Sequence, residues 1–194
     1  YSREVYKMDQ PVRVTLPMDE EIVARLRAGD QVLITGPVYT ARDAAHARIV
    51  QAIRSGEALP FDIRNQCIYY AGPTPARPGH VAGAVGPTTS SRMDGFTPIL
   101  LEHGLQSMIG KGKRSQAVRE AIVAWRAVYF VAAGGVAALL GQCVEKAEMV
   151  AYPELGPEAI RRYEVRGFPA IVGNDICGGD VYELAAQGRE RIKR

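Results

Sequence analysis

The sequence predicts an α/β fold. Short apolar runs alternate with segments whose apolar residues recur at helical spacing, and Gly-Pro or Ser-Gly pairs punctuate the transitions. Composition agrees, because 47% hydrophobic and 23% charged residues make a globular balance, not a disordered or fibrous one. At 194 residues the chain is long enough for one well-packed domain and short for two. Positions 1–194 are therefore expected to form a single domain with strands in several layers.

The elements follow in order. Asp30 to Thr35 reads as a strand broken by Gly36-Pro37, and a helix follows from about Ala41 to Arg54. Ala45, Ile49 and Ile53 give that helix a packing face, Thr40 and Asp43 form a capping-box pattern, and Ser55-Gly56 closes it. Gln66 to Tyr70 is a second strand cut off by Gly72-Pro73, after which Pro75 and Pro78 impose a stiff, irregular connection. Val81 to Val85 is a short strand of small residues. Thr97-Pro98 supplies a cap and a first-turn proline for a helix through Ile99 to His103. Met108-Ile109 leads into Gly110-Lys111-Gly112-Lys113-Arg114, and Ser115 caps a helix carrying Val118, Ile122 and Trp125 at helical spacing. Ala127 to Ala133 is the most strand-like run, and Gly134-Gly135 introduces a short helix from Val136 to Cys143. Ala147 to Tyr152 and Ala170 to Val172 complete the strands, and a charged tail from about Gln187 ends the fold.

Charge and cysteine usage narrow the function. A net charge of +3 with scattered basic residues makes no demand for nucleic acid; it suits an acidic small molecule or solubility alone. No run reaches the roughly 18 apolar residues of a membrane helix, since Val128 to Leu140 is interrupted by Tyr129, Gly134 and Gly135. The N-terminal Tyr-Ser-Arg-Glu-Val-Tyr lacks the apolar core of a signal peptide. Cys67, Cys143 and Cys177 are odd in number, far apart, and spaced for neither a metal nor a disulfide framework. They point to a reducing, cytoplasmic compartment, with each thiol a small buried hydrophobe. His46, His80 and His103 show no ligand spacing.

Three loops carry the candidate chemistry. Gly86-Pro87-Thr88-Thr89-Ser90-Ser91-Arg92-Met93-Asp94 sets four hydroxyl residues before a charge pair. Such a run is either a solvated turn or an anion cradle, with Arg92 as a clamp that Asp94 holds in place. Arg42 falls in the first turn of its helix, where the macrodipole disfavours a cation. It either bridges to Asp43 or another carboxylate, or receives an anion together with the helix N–H groups. Lys111, between two glycines, either solvates the surface or projects into a site; the spacing of a phosphate-binding P-loop is absent. Together the three loops offer Arg42, Arg92, Lys111 and several hydroxyls, half a site able to hold a dicarboxylate but without an electrophile.

Thr40-Ala41-Arg42-Asp43-Ala44-Ala45-His46, Ile68-Tyr69-Tyr70-Ala71-Gly72-Pro73, the Gly86–Asp94 run and Ile109-Gly110-Lys111-Gly112-Lys113-Arg114 occur in that order. They resemble the successive signatures of the beta-type region of class I fumarases and L(+)-tartrate dehydratases, which are iron–sulfur hydro-lyases. The resemblance spans about Asp9 to Glu183. It implies a three-layer swivelling β/β/α domain, found either as the C-terminal part of a long enzyme or as a separate chain. It also implies an alpha-type partner whose cysteines hold a [4Fe–4S] cluster, an active site between the two parts, and a higher oligomer of alpha–beta pairs. By matching motif, Arg42 and Arg92 are implied to clamp substrate carboxylates, Lys111 to be a third cationic contact, and Thr88 to be the catalytic base. No residue of this chain is implied to hold the metal, and Cys177 has no assigned role. The implied reaction is the reversible hydration of fumarate to malate. Tartrate dehydration is one alternative, and a non-catalytic dicarboxylate-binding module is the other. The chemistry is consistent, since elimination builds charge on a carboxylate that Arg and Lys would stabilise. A threonine hydroxyl is a poor base at neutral pH, so the partner is expected to supply what activates it.

Overall fold

A computed structural model describes residues 10–76, 78–79, 81–132 and 137–192. Among the described residues there are seven strands: β1 (Val12–Thr15), β2 (Gln31–Thr40), β3 (Cys67–Tyr69), β4 (Ser107–Gly110), β5 (Val128–Val131), β6 (Val144–Ala151) and β7 (Ile160–Asn174). Six α-helices accompany them there: α1 (Glu20–Arg25), α2 (Asp43–Ser55), α3 (Thr97–Glu102), α4 (Gln116–Ala124), α5 (Ala137–Gln142) and α6 (Val181–Ile192). The α/β reading therefore holds.

Strands β2, β3, β4 and β5 run parallel in that order, and β1 lies parallel to the first half of β2. Strand β7 pairs antiparallel with the whole of β2, with β5 through its Ile171–Asn174 end, and with β6 through its first half. Strands β2, β3, β4, β5 and β7 thus close on themselves, with β1 and β6 as extensions. Alternation along the short parallel strands then assigns two cores. Cys67, Tyr69, Ile109, Val128 and Phe130 point inward with Ile34, Phe168 and Val172. Ile68, Tyr70, Met108 and Tyr129 point outward, where Ala45 and Ile49 of α2, Leu100 of α3, and Val118 and Ile122 of α4 cover them. Parallel strands buried on both faces are what helical crossovers produce.

Several expectations are corrected. Gly36-Pro37 does not end the strand, because β2 runs on to Thr40. Gly36 takes φ +124° at a register shift, where a Cβ would lie 2.6 Å from the Leu16 carbonyl oxygen. Pro37 falls between the stretches paired to β1 and to β3, so its missing N–H breaks neither parallel ladder. Thr40 is consequently a strand residue whose hydroxyl accepts from Arg161 N–H at 3.2 Å; it caps nothing, and Arg42 occupies the N-cap of α2. Gly56 closes α2 at φ 68°, as expected. Val81–Val85 forms no strand; it is pinned instead by Ala84 N–H to the Thr74 hydroxyl at 2.9 Å and Val85 N–H to the Ala137 carbonyl at 3.0 Å. Thr97 is the first residue inside α3, after Phe96 at the cap, and Trp125 is exposed at the end of α4. The run at Ala170–Val172 lies toward the far end of the 15-residue β7, and residues 187–192 of the charged tail belong to α6. Strand β1 and helix α1 were not anticipated. Cys67 is buried as expected, but Cys143 is half-buried and Cys177 exposed. Among the described residues no helix is long and apolar enough to cross a membrane. The expectations for His80, Ala133, Gly134-Gly135 and Val136 lie outside the described residues.

Candidate functional site at the carboxyl ends of the parallel strands

Each candidate residue follows the carboxyl end of a parallel strand. Arg42 comes two residues after β2, the Thr88–Arg92 loop docks on the chain leaving β3, and Lys111 directly follows β4. Thr88 N–H donates to the Tyr70 carbonyl at 2.6 Å, and Ala71 forms an isolated bridge with Pro87. Lys111 N–H donates to the Thr88 carbonyl at 3.3 Å, and Ser90 N–H to the Lys111 carbonyl at 2.9 Å. The loop of hydroxyls is therefore tied along the lysine loop, and Thr88 and Lys111 share a backbone hydrogen bond. Parallel α/β sheets, open or closed, bind ligands outside this edge, where strand ends and helix N-termini converge.

Carboxylates hold both arginines: Arg42 faces another carboxylate than Asp43, as one reading allowed, while Asp43 and Asp94 take partners other than those expected. Arg92, about half exposed, grips Asp43: its Nε donates to Oδ1 at 3.0 Å, and Nη2 lies 2.8 Å from Oδ2, at ion-pair distance though off line for a second hydrogen bond. Because Asp43 is the residue after Arg42, this contact brings Arg92 beside the start of α2. Asp43 therefore partners Arg92, not Arg42, and Asp94 does not hold Arg92. Arg42 Nε instead stands 3.5 Å from Glu158 Oε1 and has no hydrogen-bond partner of its own. Its guanidinium lies against Gly72, where a Cβ would come within 2.7 Å of Nη1. Helix α2 has no side-chain cap, so its first N–H groups face the same region. Among the described residues, neither the Lys111 ammonium nor the Thr88 hydroxyl has a side-chain partner.

Beneath this edge lies a buried polar cluster that the sequence reading missed. Asp94 takes Arg114 Nε at 2.7 Å and Ser115 N–H at 2.7 Å. Arg114 is fully buried, donates from Nη2 to the Thr97 hydroxyl at 2.8 Å, and lies 4.8 Å from the Tyr129 ring centroid and 5.3 Å from that of Tyr70. Burial alone would disfavour its charge, but Tyr70 and Asp94 outweigh that and hold the guanidinium above its ordinary pKa. His46 sits in the same core. A carbonyl can only accept, so the imidazole Nδ1–H donates to the Arg42 carbonyl at 2.8 Å. Burial pushes its pKa down to about 4, and it is neutral at physiological pH. The available signal for Arg114 was its place in Gly110-Lys111-Gly112-Lys113-Arg114, where it read as one more surface charge.

An iron–sulfur cluster does not fit this chain's own side chains. Cys67 faces the inner core with its pKa pushed up to about 12, Cys177 lies in the turn before α6, and Cys143 follows α5. Among the described residues no group of three or more His, Cys, Asp or Glu is placed to hold a metal.

A cation-bearing edge on a largely parallel α/β sheet is the class that the fold and site define. The chain belongs to the family described as Fumarase C-terminus, whose model matches residues 2–185. It is 40% identical over 181 residues to "Fumarate hydratase class I, anaerobic" of Escherichia coli K12, covering 90% of this chain and 33% of that protein. It is 36% identical over 185 residues to "Fumarate hydratase 2" of Leishmania major, again covering 33% of the relative. The "Putative L(+)-tartrate dehydratase subunit beta" of Methanocaldococcus jannaschii is 38% identical over 167 residues, which cover 83% of this chain and 86% of the relative. The chain thus spans about a third of the length of the fumarate hydratases it matches and most of the tartrate dehydratase subunit.

Proposed function

We propose that this chain is the beta part of a cytoplasmic iron–sulfur hydro-lyase that interconverts fumarate and malate and acts only with an alpha-type partner. The observation that carries this reading is the convergence of Arg42, Thr88, Arg92 and Lys111 at one sheet edge, two arginines being linked through Asp43. In this reading residues 1–194 form one three-layer swivelling β/β/α domain. The antiparallel β7–β6 layer, the parallel layer and the helices α2, α3 and α4 support that description.

Arg42 and Arg92 bind the substrate carboxylates. Asp43 occupies the Nε edge of Arg92 and leaves Nη1 for a ligand, so its role is to aim the guanidinium. Arg42, its Nε turned to Glu158 and its guanidinium beside the uncapped start of α2, makes a second anion position. Lys111 stabilises negative charge that builds on a carboxylate as the adjacent carbon loses its proton, and Thr88 Oγ takes that proton. Among the described residues no carboxylate touches the Thr88 hydroxyl, so the group that activates it is assigned to the partner. The [4Fe–4S] cluster is assigned to the partner as well, and the pairs are read as assembling into a higher oligomer.

A second reading, L(+)-tartrate dehydratase, is favoured by the match to a separate beta subunit over 86% of its length. One experiment separates the readings: anaerobic purification of this chain alone and with an alpha-type partner, then assays of fumarate, malate and both tartrate enantiomers. The chain alone is expected to show no turnover and no iron–sulfur absorbance, and the pair to hydrate fumarate. Tartrate turnover exceeding that of malate selects the second reading. Dicarboxylate binding by a cluster-loaded pair without turnover leaves a binding module. Malate turnover by the isolated chain overturns the two-part reading.

A further inference from the structure

The site loops meet over one fully buried tyrosine. Tyr129, on β5, donates its hydroxyl proton to the Gly112 carbonyl at 2.9 Å and lies 2.8 Å from Ser90 Oγ. A phenol has one proton to give, so with that proton on Gly112 the serine must be the donor. The chain of bonds runs from Ser90 O–H to Tyr129 Oη, and from Tyr129 O–H to Gly112 C=O. Ser90 stands two residues after Thr88, and Gly112 directly follows Lys111. The room for this contact is made by Gly110, where a Cβ would fall 2.0 Å from Ser90 Oγ. Gly112 is gripped from its other side too, its N–H donating to the Tyr182 hydroxyl of α6 at 3.0 Å. Burial raises the Tyr129 pKa, so the phenol keeps its proton. Its ring, against Arg114, cannot swing away without breaking a stacked contact.

We infer that Tyr129 is a positioning residue of the hydro-lyase site, its hydroxyl coupling the loop that carries Thr88 to the loop that carries Lys111. The inference rests on the function proposed above. Both functional loops are irregular, and the backbone bonds between them, at 2.9 and 3.3 Å, fix their spacing at a single bridge, Thr89 to Lys111. The Ser90–Tyr129–Gly112 strut fixes it from below. Without the phenolic oxygen, the Ser90 hydroxyl and the Gly112 carbonyl lose their shared partner in a buried place, and each loop relaxes toward whatever else satisfies it. Misplacement on the scale of an ångström costs a reaction about a hundredfold in rate, because the geometry matters most as the barrier is crossed.

The test uses the assembled, cluster-loaded enzyme and reads kcat and KM separately. Tyr129→Phe keeps the ring and its stacking on Arg114 and removes only the oxygen. It is expected to lower kcat by about ten- to a hundredfold while KM moves by less than about threefold. Ser90→Ala severs one arm and is expected to lower kcat by a smaller factor, and the double variant to be no worse than Tyr129→Phe, since both cut one strut. In a Thr88→Ala background, Tyr129→Phe is expected to change kcat little further, because the group it places is already gone. A purely structural hydroxyl would lower the melting temperature with kcat per folded enzyme unchanged, and that result overturns the inference. Should Tyr129→Phe fail to fold, Ser90→Ala decides alone: wild-type kcat overturns the inference, and a several-fold fall supports it. If Thr88→Ala is itself fully active, the catalytic reading has failed. If Thr88→Ala is impaired while Tyr129→Phe and Ser90→Ala are not, only this inference has.

Discussion

The inner core and the helix-side core press on opposite faces of the same three short strands, yet they differ in kind. The inner one is built almost entirely from aliphatic and aromatic side chains, with Phe130, Phe168, Ile34 and Val172 at its centre. The helix-side one is also apolar in outline, but it encloses the Arg114 guanidinium, the His46 imidazole and the hydroxyls of Thr97, Ser90 and Tyr129. Residues 67 to 70 and 107 to 110 alternate between the two, so the sheet sorts its functions by parity. One face supplies burial, and the other supplies the framework under the site. Buried charges and hydroxyls are tolerated there because they are mutually bonded, and a half-satisfied set would be worse than none.

That contrast is broken most forcefully by removing one large side chain from each face. Phe130→Ala should destabilise the protein by about 3–5 kcal/mol in denaturant unfolding through lost burial and a residual cavity. The fraction that remains folded should keep its kcat and KM. Arg114→Ala should cost somewhat less, about 2–4 kcal/mol, through the lost packing of a fully buried side chain and because the largely buried Asp94 is left without its cation. It should also impair kcat in the folded fraction, since Asp94 anchors the Thr88–Arg92 loop. Unchanged kinetics in Arg114→Ala would erase the distinction between the faces.

A pH titration sharpens the comparison at lower amplitude. His46 is held at about 4 against an ordinary 6.5, chiefly by burial and in smaller part by Arg114, with its bond to Arg42 and the charge of Asp43 acting the other way. Its folded-state pKa lies below its free one, so the unfolded chain binds the extra proton. Stability from this group is fully present above pH 6.5 and is lost progressively as pH falls toward 4. The full span corresponds to about 3 kcal/mol. His46→Asn keeps a donor near the Arg42 carbonyl and removes the titration. It should flatten the stability profile between pH 4 and 6.5 by about one proton's worth of slope. An unaltered slope would show that His46 is not the group responsible. The smallest effect expected is at Arg92. Lysine there cannot both hold Asp43 and present a second edge, so Arg92→Lys should raise KM by about tenfold, close to 1.4 kcal/mol. A KM equal to wild type would remove Arg92 from the substrate contacts.

The legibility of the sequence follows the same division. Helix α2 with its Gly56 stop, the Ser115 cap and the four signature loops were readable because periodicity and turn chemistry are local. The continuation of β2 through Gly36-Pro37 was not, since it depends on β1 and β3 leaving residue 37 uncovered and on β7 pairing along the whole strand. The 15-residue β7 was reduced to the short apolar run Ala170–Val172, because a strand that changes neighbours halfway along does not alternate uniformly. The four candidate residues are brought to one edge, but the partners of Asp43 and Asp94 were misassigned. Asp43 to Arg92 and Asp94 to Arg114 join segments 49 and 20 residues apart, and sequence proximity favoured Asp43 with Arg42 and Asp94 with Arg92.

The central claim is that Thr88 moves a proton in a site shared with an alpha-type partner, and steady-state kinetics of Thr88→Ala in the assembled enzyme test it most directly. With an intact cluster spectrum and an unchanged melting curve, kcat should fall by about a hundredfold or more while KM stays within several-fold, because a proton-transfer group acts only as the barrier is crossed. Thr88→Ser should retain part of the activity. A kcat near wild type in folded, cluster-loaded Thr88→Ala would contradict the account and place the base in the partner subunit.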